Sequence, residues 1–159
     1  KEIQHIKDYL EIQRIRYGNH IDFALTFDER LHNALVPSLL LQTFVENTIK
    51  HGFSFQDGIV INLSLQKRIV DEKPYIGICV KDNGPGFSRE ILSKLKNMES
   101  LISEDGHHIG ITNAIERLNL LYSNDYTITF ENNDTSGARI DVLVPYKELK
   151  GDSNEYTTR

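Results

Sequence analysis

Between Val45 and Gly52 the chain reads VENTIKHG, which places a carboxylate, an amide, an ammonium and an imidazole within one short stretch. On a helix each residue turns about 100°, so with Glu46 at zero Lys50 falls at about 40°, Thr43 at about 60°, Asn47 at about 100° and His51 at about 140°. Leu41, Phe44, Val45, Thr48 and Ile49 fall on the opposite arc. One arc is therefore core, and the other can do chemistry. The Asn47 side chain offers a carbonyl oxygen to a hard cation such as Mg²⁺. Lys50 supplies positive charge to a phosphate, and Glu46 can hold a water or a hydroxyl. The plainer alternative is a solvated face with one i,i+4 ion pair between Glu46 and Lys50. Taken alone, the helix favours that alternative.

Three further segments carry possible chemistry. In VKDNGPGF, Val80 to Phe87, an apolar strand runs into Asp82 and then into a glycine-rich turn. Asn-Gly and Pro-Gly are ordinary turn signals. A carboxylate at the end of a buried strand, however, needs a donor. The exocyclic amine of adenine would serve, and Gly84 and Gly86 would let a ligand approach the backbone. In HIGITNAIERL, His108 to Leu118, Gly110 stands just before an apolar helix, where free backbone N–H groups suit a phosphate. A simple loop-to-helix junction explains it equally well. In TSGARIDVLVP, Thr135 to Pro145, a glycine precedes a buried strand, and a hairpin turn is the simplest reading.

These segments need a frame to hold them. Lys1 to Tyr17 has helical spacing, with Ile3, Ile6 and Leu10 on one stripe and Tyr9, Ile12 and Ile15 broadening it. Gly18-Asn19 ends it. Ile21 to Phe27 reads as a strand. Val36 to His51 is the next helix, with Pro37 in its first turn and Gly52 closing it. Ile59 to Gln66 and Tyr75 to Val80 form an antiparallel hairpin about the charged turn Val70 to Pro74. Ser88 N-caps a short helix to Lys96. Asn97 to His108 is polar and irregular. Ile109 to Tyr122 is a helix with Ile111, Ile115, Leu118 and Leu121 inward, and Tyr126 to Phe130 and Ala138 to Val144 are the last strands. Helices can cover one face of such a mixed sheet, which predicts an α/β (α+β) two-layer sandwich with a mostly antiparallel sheet. The other face is left partly open.

The bulk properties fit one domain of 159 residues with 39% hydrophobic and 26% charged residues. A net charge of -5 argues against a nucleic-acid surface but leaves nucleotides open. The single cysteine, Cys79, has no internal partner and fits a reducing compartment. The six histidines show no zinc spacing. No apolar run reaches the length of a membrane span. Lys1 as the first residue suggests a piece of a longer protein, one that does not itself contact the membrane.

The order and spacing of the segments say more than each does singly. VPSLLLQTFVENTIKHG, DNGPGF and HIGITNAIERLNLLY resemble the N box and two glycine boxes of the GHKL ATPase superfamily (the Bergerat fold). The nearest match is to sensor histidine kinases of the YesM/LytS type. YLEIQRIRYGNHIDF resembles the segment that leads into their ATP-binding domain, and the likeness runs from about Lys7 to Pro145.

The resemblance implies ATP and Mg²⁺ as ligands. Asn47 would coordinate the metal, with Glu46 a polar catalytic neighbour and Lys50 and His51 on the phosphate side. Asp82 would bind the adenine amine above Gly84 and Gly86. Gly110, Ile111 and Asn113 would face the phosphates, and Asn97 to His108 would be a lid. Thr135 falls in the stretch where a threonine often supports the adenine-binding aspartate. His108 stands where the first glycine of its box is usual, which puts a side chain where phosphate comes close.

Residues 1–18 would end a dimerisation region, 19–147 would form the ATP-binding domain, and 148–159 a polar tail. The expected activity is transfer of the γ-phosphoryl group to a histidine on an upstream segment, for relay to a response regulator. The expected setting is the cytoplasmic side of a homodimeric bacterial membrane sensor. Two rivals are an ATP-driven clamp of the gyrase or Hsp90 type, with Glu46 activating water, and a degenerate interaction module.

Overall fold

The computed structural model describes residues 2–37, 39–97 and 109–148. Its elements are α1 (Glu2–Tyr17), β1 (Ile21–Phe27), α2 (Leu40–Gly52), β2 (Ile59–Val70), β3 (Lys73–Asp82), α3 (Arg89–Lys96), α4 (Ile109–Tyr122), β4 (Thr127–Asn132) and β5 (Ala138–Pro145). The five strands form one sheet in the order β1-β2-β3-β5-β4. Only β1 and β2 run parallel; the other neighbours are antiparallel. This is the two-layer α/β sandwich that the element order predicts.

Strand parity decides which residues meet the helices. Ile59, Ile61, Leu63 and Leu65 of β2 are buried, as are Ile76, Ile78 and Val80 of β3 and Ile140, Val142 and Val144 of β5. Leu40, Leu41, Phe44, Val45 and Ile49 of α2 and Ile111, Ala114 and Leu118 of α4 complete the same core. Residues on the opposite face, such as Asn62, Ser64, Gln66, Cys79 and Lys81, are exposed or half-buried. The β2–β3 hairpin is longer than the alternation suggests. Its turn is only Asp71-Glu72, both at positive φ (48° and 64°), the two-residue geometry that matches sheet twist.

Four details differ from the sequence reading. In α1, Ile6 and Leu10 are buried, but Ile12 is 61% and Ile15 84% exposed. From Ile6 those two lie at about 120° and about 180° round the helix, so they cannot share its stripe. Helix α2 begins at Leu40, not Val36. Leu39 takes a left-handed φ of 62° and breaks the helix, leaving Pro37 outside its first turn. In α4 the stripe continues to Tyr122, which packs on the core, while Leu121 is half-exposed. Gly52 lies inside α2, whose cap is Phe53. The residue is small for packing, as shown below. The Ser88 N-cap is present, its hydroxyl accepting from the Ile91 N–H. His108, the lid apart from Asn97, and the tail beyond Glu148 lie outside the described residues.

The exposure difference along α1 can be checked by urea unfolding. Leu10→Ala should lose about 2–5 kcal/mol. Ile12→Ser and Ile15→Ser should stay within about 0.5 kcal/mol of the parent.

Candidate functional site

Asp82 is the last residue of β3, and parity puts its side chain on the helix side, below Val80 and Ile78. It is 7% exposed. Such a carboxylate must be given donors. The Gly84 and Ala138 N–H groups donate to Oδ1 at 2.9 and 3.0 Å. The Thr48 hydroxyl reaches Oδ2 at 3.4 Å. Oδ2, with one long hydrogen bond, keeps acceptor capacity.

Three glycines let the backbones close round this group. Gly52 and Gly84 face each other, and a Cβ on Gly84 would lie 2.9 Å from Gly52 Cα. Gly137, at φ +97°, sits against the main chain of Asp82, and a Cβ there would lie 1.8 Å from the Asp82 carbonyl oxygen. The β4–β5 turn then clamps the DNGPG loop by hydrogen bonds. Asn133 donates to the Asp82 carbonyl at 2.9 Å. The Ser136 hydroxyl donates to the Gly84 carbonyl at 2.7 Å. Asn132 accepts from the Phe87 N–H at 2.8 Å and donates to the Phe87 carbonyl at 2.9 Å. The Asn83 side chain accepts from the Val60 N–H at 2.7 Å.

A cavity of about 210 Å³ opens above Asp82. Asn47, Thr48, His51 and Gly52 of α2 form one wall, and Pro85, Gly86, Phe87, Ser88 and Ile91 another. Ala138 and Ile140 complete the lining. Phe87 is held by an edge-on contact with Phe130 at 6.0 Å. The cavity thus has apolar sides, a buried acceptor at its base and polar α2 residues along one side. That shape suits a flat heterocycle with a donor amine.

The wet arc of α2 divides. Asn47 and His51 turn to the cavity, whereas Glu46 and Lys50 are exposed and do not line it. Glu46 instead faces α1. Its Oε1 accepts from Gln42 Nε2 at 2.6 Å, and Gln42 Oε1 lies 2.7 Å from His5 Nε2. Burial pushes the Tyr9 phenol up to about 12, and the Glu46 charge adds to the rise. Gly110 comes against Thr43, one turn before Asn47, at 3.4 Å from its methyl group for an added Cβ. The Ile111 side chain is core, and Asn113 is exposed. Thr135 is exposed in the β4–β5 turn and is absent from the Asp82 hydrogen bonds. The threonine that reaches Asp82 is Thr48, a hydroxyl on the apolar arc of a helix, which is itself a signal because a buried hydroxyl must find an acceptor.

Known proteins share this fold. A family model described as histidine kinase-, DNA gyrase B- and HSP90-like ATPase matches residues 33–148. The chain belongs to that ATPase family. Among curated relatives of this family, it is 30% identical over 148 residues to the sensor histidine kinase/phosphatase LytS of Staphylococcus aureus, covering 92% of this chain and 24% of that protein. It is 30% identical over 146 residues to the sensor histidine kinase YesM of Bacillus subtilis, covering 91% and 23%. The chain therefore spans about a quarter of the length of these relatives. The catalytic domain of histidine kinase ThkA shares the fold, with a TM-score of 0.66 at 16% identity over 90% of both chains. Full-length ShkA in complex with AMPPNP aligns with a TM-score of 0.60 at 16% identity, over 91% of this chain and 30% of that one. The curated relatives are sensor histidine kinases, and the two solved structures share the fold.

The glycine packing predicts an order of cost in urea unfolding. Gly137→Ala should cost most, about 3 kcal/mol or more, because both space and φ oppose it. Gly84→Ala should cost less, about 1–3 kcal/mol, against the Gly52 backbone. Gly52→Ala should cost least, since it meets chiefly the movable end of Ile59.

Proposed function

We propose that the cavity above Asp82 binds ATP with Mg²⁺, and that the domain supplies the γ-phosphoryl group to a histidine on an upstream segment. The single observation that carries this reading is the buried Asp82 carboxylate, which lines the cavity beside Asn47 and His51 and whose Oδ2 is met by the long Thr48 bond. Asp82 would accept from the adenine amine, over a floor shaped by Gly84 and Gly86. Asn47, His51 and Lys50 would serve the phosphate side, and Gly110 and Asn113 would approach it from α4.

Among the described residues no group of three or more His, Cys, Asp or Glu could hold a metal. Mg²⁺ is commonly held by one or two protein ligands and the phosphates of its nucleotide. Asn47 is the ligand we assign. When bound, the cation would neutralise phosphate charge. The protein's own part is to orient the base, hold the phosphates near Asn47 and exclude water with Phe87 and Ile91. Glu46, turned to α1, offers less support to water activation than to phosphoryl transfer.

Residues 1–18 would end the dimerisation region, 19–147 would form the ATP-binding domain, and 148–159 the tail. In the whole protein the phosphoryl group would pass to a receiver domain of a response regulator. The protein would be a homodimer anchored in the cytoplasmic membrane with this domain in the cytoplasm. No helix among the described residues is long and apolar enough to cross a membrane.

Calorimetric titration tests the reading directly. ATP should bind more tightly with Mg²⁺ than without. Asp82→Asn should weaken binding about ten- to a hundredfold, as loss of a charged hydrogen bond does. Asn47→Ala should abolish the Mg²⁺ dependence. The chain alone should incorporate no labelled phosphate from ATP; incorporation would overturn the assignment of an upstream acceptor.

A further inference from the structure

Helix α1 meets α2 where His5 bonds Gln42, one turn before Glu46. His5 and Tyr9 stand on α1, and Gln42 and Glu46 stand opposite on α2. The direction of the bonds is set by chemistry. The Gln42 amide NH₂ can only donate, so it donates to the Glu46 carboxylate at 2.6 Å. Gln42 then presents its oxygen to His5, whose Nε2 must be the donor at 2.7 Å. The two bonds therefore run one way, from α1 through Gln42 to Glu46. Glu46 is followed in the chain by Asn47, which lines the cavity, and Gln42 is followed by Thr43, which meets Gly110. Beside this polar seam Ile6 and Leu10 of α1 are buried in the core that α2 shares.

We propose that His5 and Gln42 are positioning residues for Glu46, so that the leader helix α1 sets how the Asn47 turn of α2 meets the phosphate side of a bound nucleotide. This rests on the ATP reading of the Asp82 cavity. It adds a route by which movement of α1 reaches that cavity. The base end is held chiefly by the Gly84 and Ala138 N–H groups on Asp82 Oδ1, and α2 adds the longer Thr48 bond to Oδ2. The relay should therefore affect phosphate and metal recognition more than base recognition.

Titrations of this chain with Mg-ATP and with adenosine separate the two ends. His5→Ala and Gln42→Ala should each weaken Mg-ATP binding about two- to tenfold, the factor carried by one net hydrogen bond, with a clearly smaller change in adenosine affinity. His5→Gln, which keeps a donor, should restore Mg-ATP binding. In a Glu46→Ala background, His5→Ala should have no further effect. Thermal midpoints are recorded for every variant. Parent-like Mg-ATP binding in both alanine variants, or effects that add to Glu46→Ala, would overturn the relay while leaving the ATP reading intact. Equal loss of adenosine and Mg-ATP binding with a lowered midpoint would show a purely structural seam and overturn it as well. A parent chain that binds neither ligand would overturn the ATP reading, and the relay with it.

Discussion

A carboxylate can leave water only if other groups take over its hydrogen bonds. Most of what is distinctive in this domain follows from meeting that condition at Asp82. The donors come from three places far apart in the chain: the hydroxyl of Thr48, the N–H of Gly84 two residues on, and the N–H of Ala138 on another strand. To bring them together, α2 must lie against the DNGPG loop, and β5 must lie beside β3. Glycines at 52, 84 and 137 permit both approaches. The carboxylate thus acts as a point of registry for helix, loop and sheet, as well as an acceptor facing the cavity.

Periodicity made the frame legible. The boundaries of β1 and α4 and the Ser88 cap follow directly from the pattern of apolar residues and cap chemistry. Parity along β3 already put Asp82 at a buried strand end. The boundaries that slipped have local causes. Leu39 in a left-handed conformation cannot be foreseen from residue type, since leucine seldom adopts it. Ile12 and Ile15 look like core by type, yet lie round the helix from Ile6. Gly52 reads as a helix stop, but its smallness serves Gly84, a contact between residues 32 positions apart that no local pattern encodes.

The site itself divides the same way. Asn47, His51, Asp82 and Gly86 line the cavity, and each stood in a motif with helical or turn spacing. A helical wheel gives the arc a residue occupies, not the neighbour it meets. Glu46 shares an arc with Asn47 and yet bonds Gln42, which meets His5 of α1, and does not line the cavity. The apolar lining from Phe87, Ile91 and Ile140 looks like ordinary core in sequence. The clamp by Asn132, Asn133 and Ser136 hides in a stretch that reads as a polar hairpin turn. Thr135, in the same turn, matched by position in the motif, whereas the supporting hydroxyl belongs to Thr48, 34 residues before Asp82.

The strand order carries a consequence for synthesis. β3 lies at the centre of the sheet, between β2 and β5, and β5 is the last strand among the described residues. During translation β2 and β3 can pair as a hairpin as soon as they emerge, but the second edge of β3 stays bare until β5 arrives. Until then Asp82 lacks the Ala138 N–H, and the DNGPG loop lacks its Asn133 and Ser136 ties. The nascent chain therefore carries a sheet with an open central edge and an unfinished pocket. A ribosome stalled before residue 138 would hold every residue of the α2 motif and the glycine loop, and still no completed cavity.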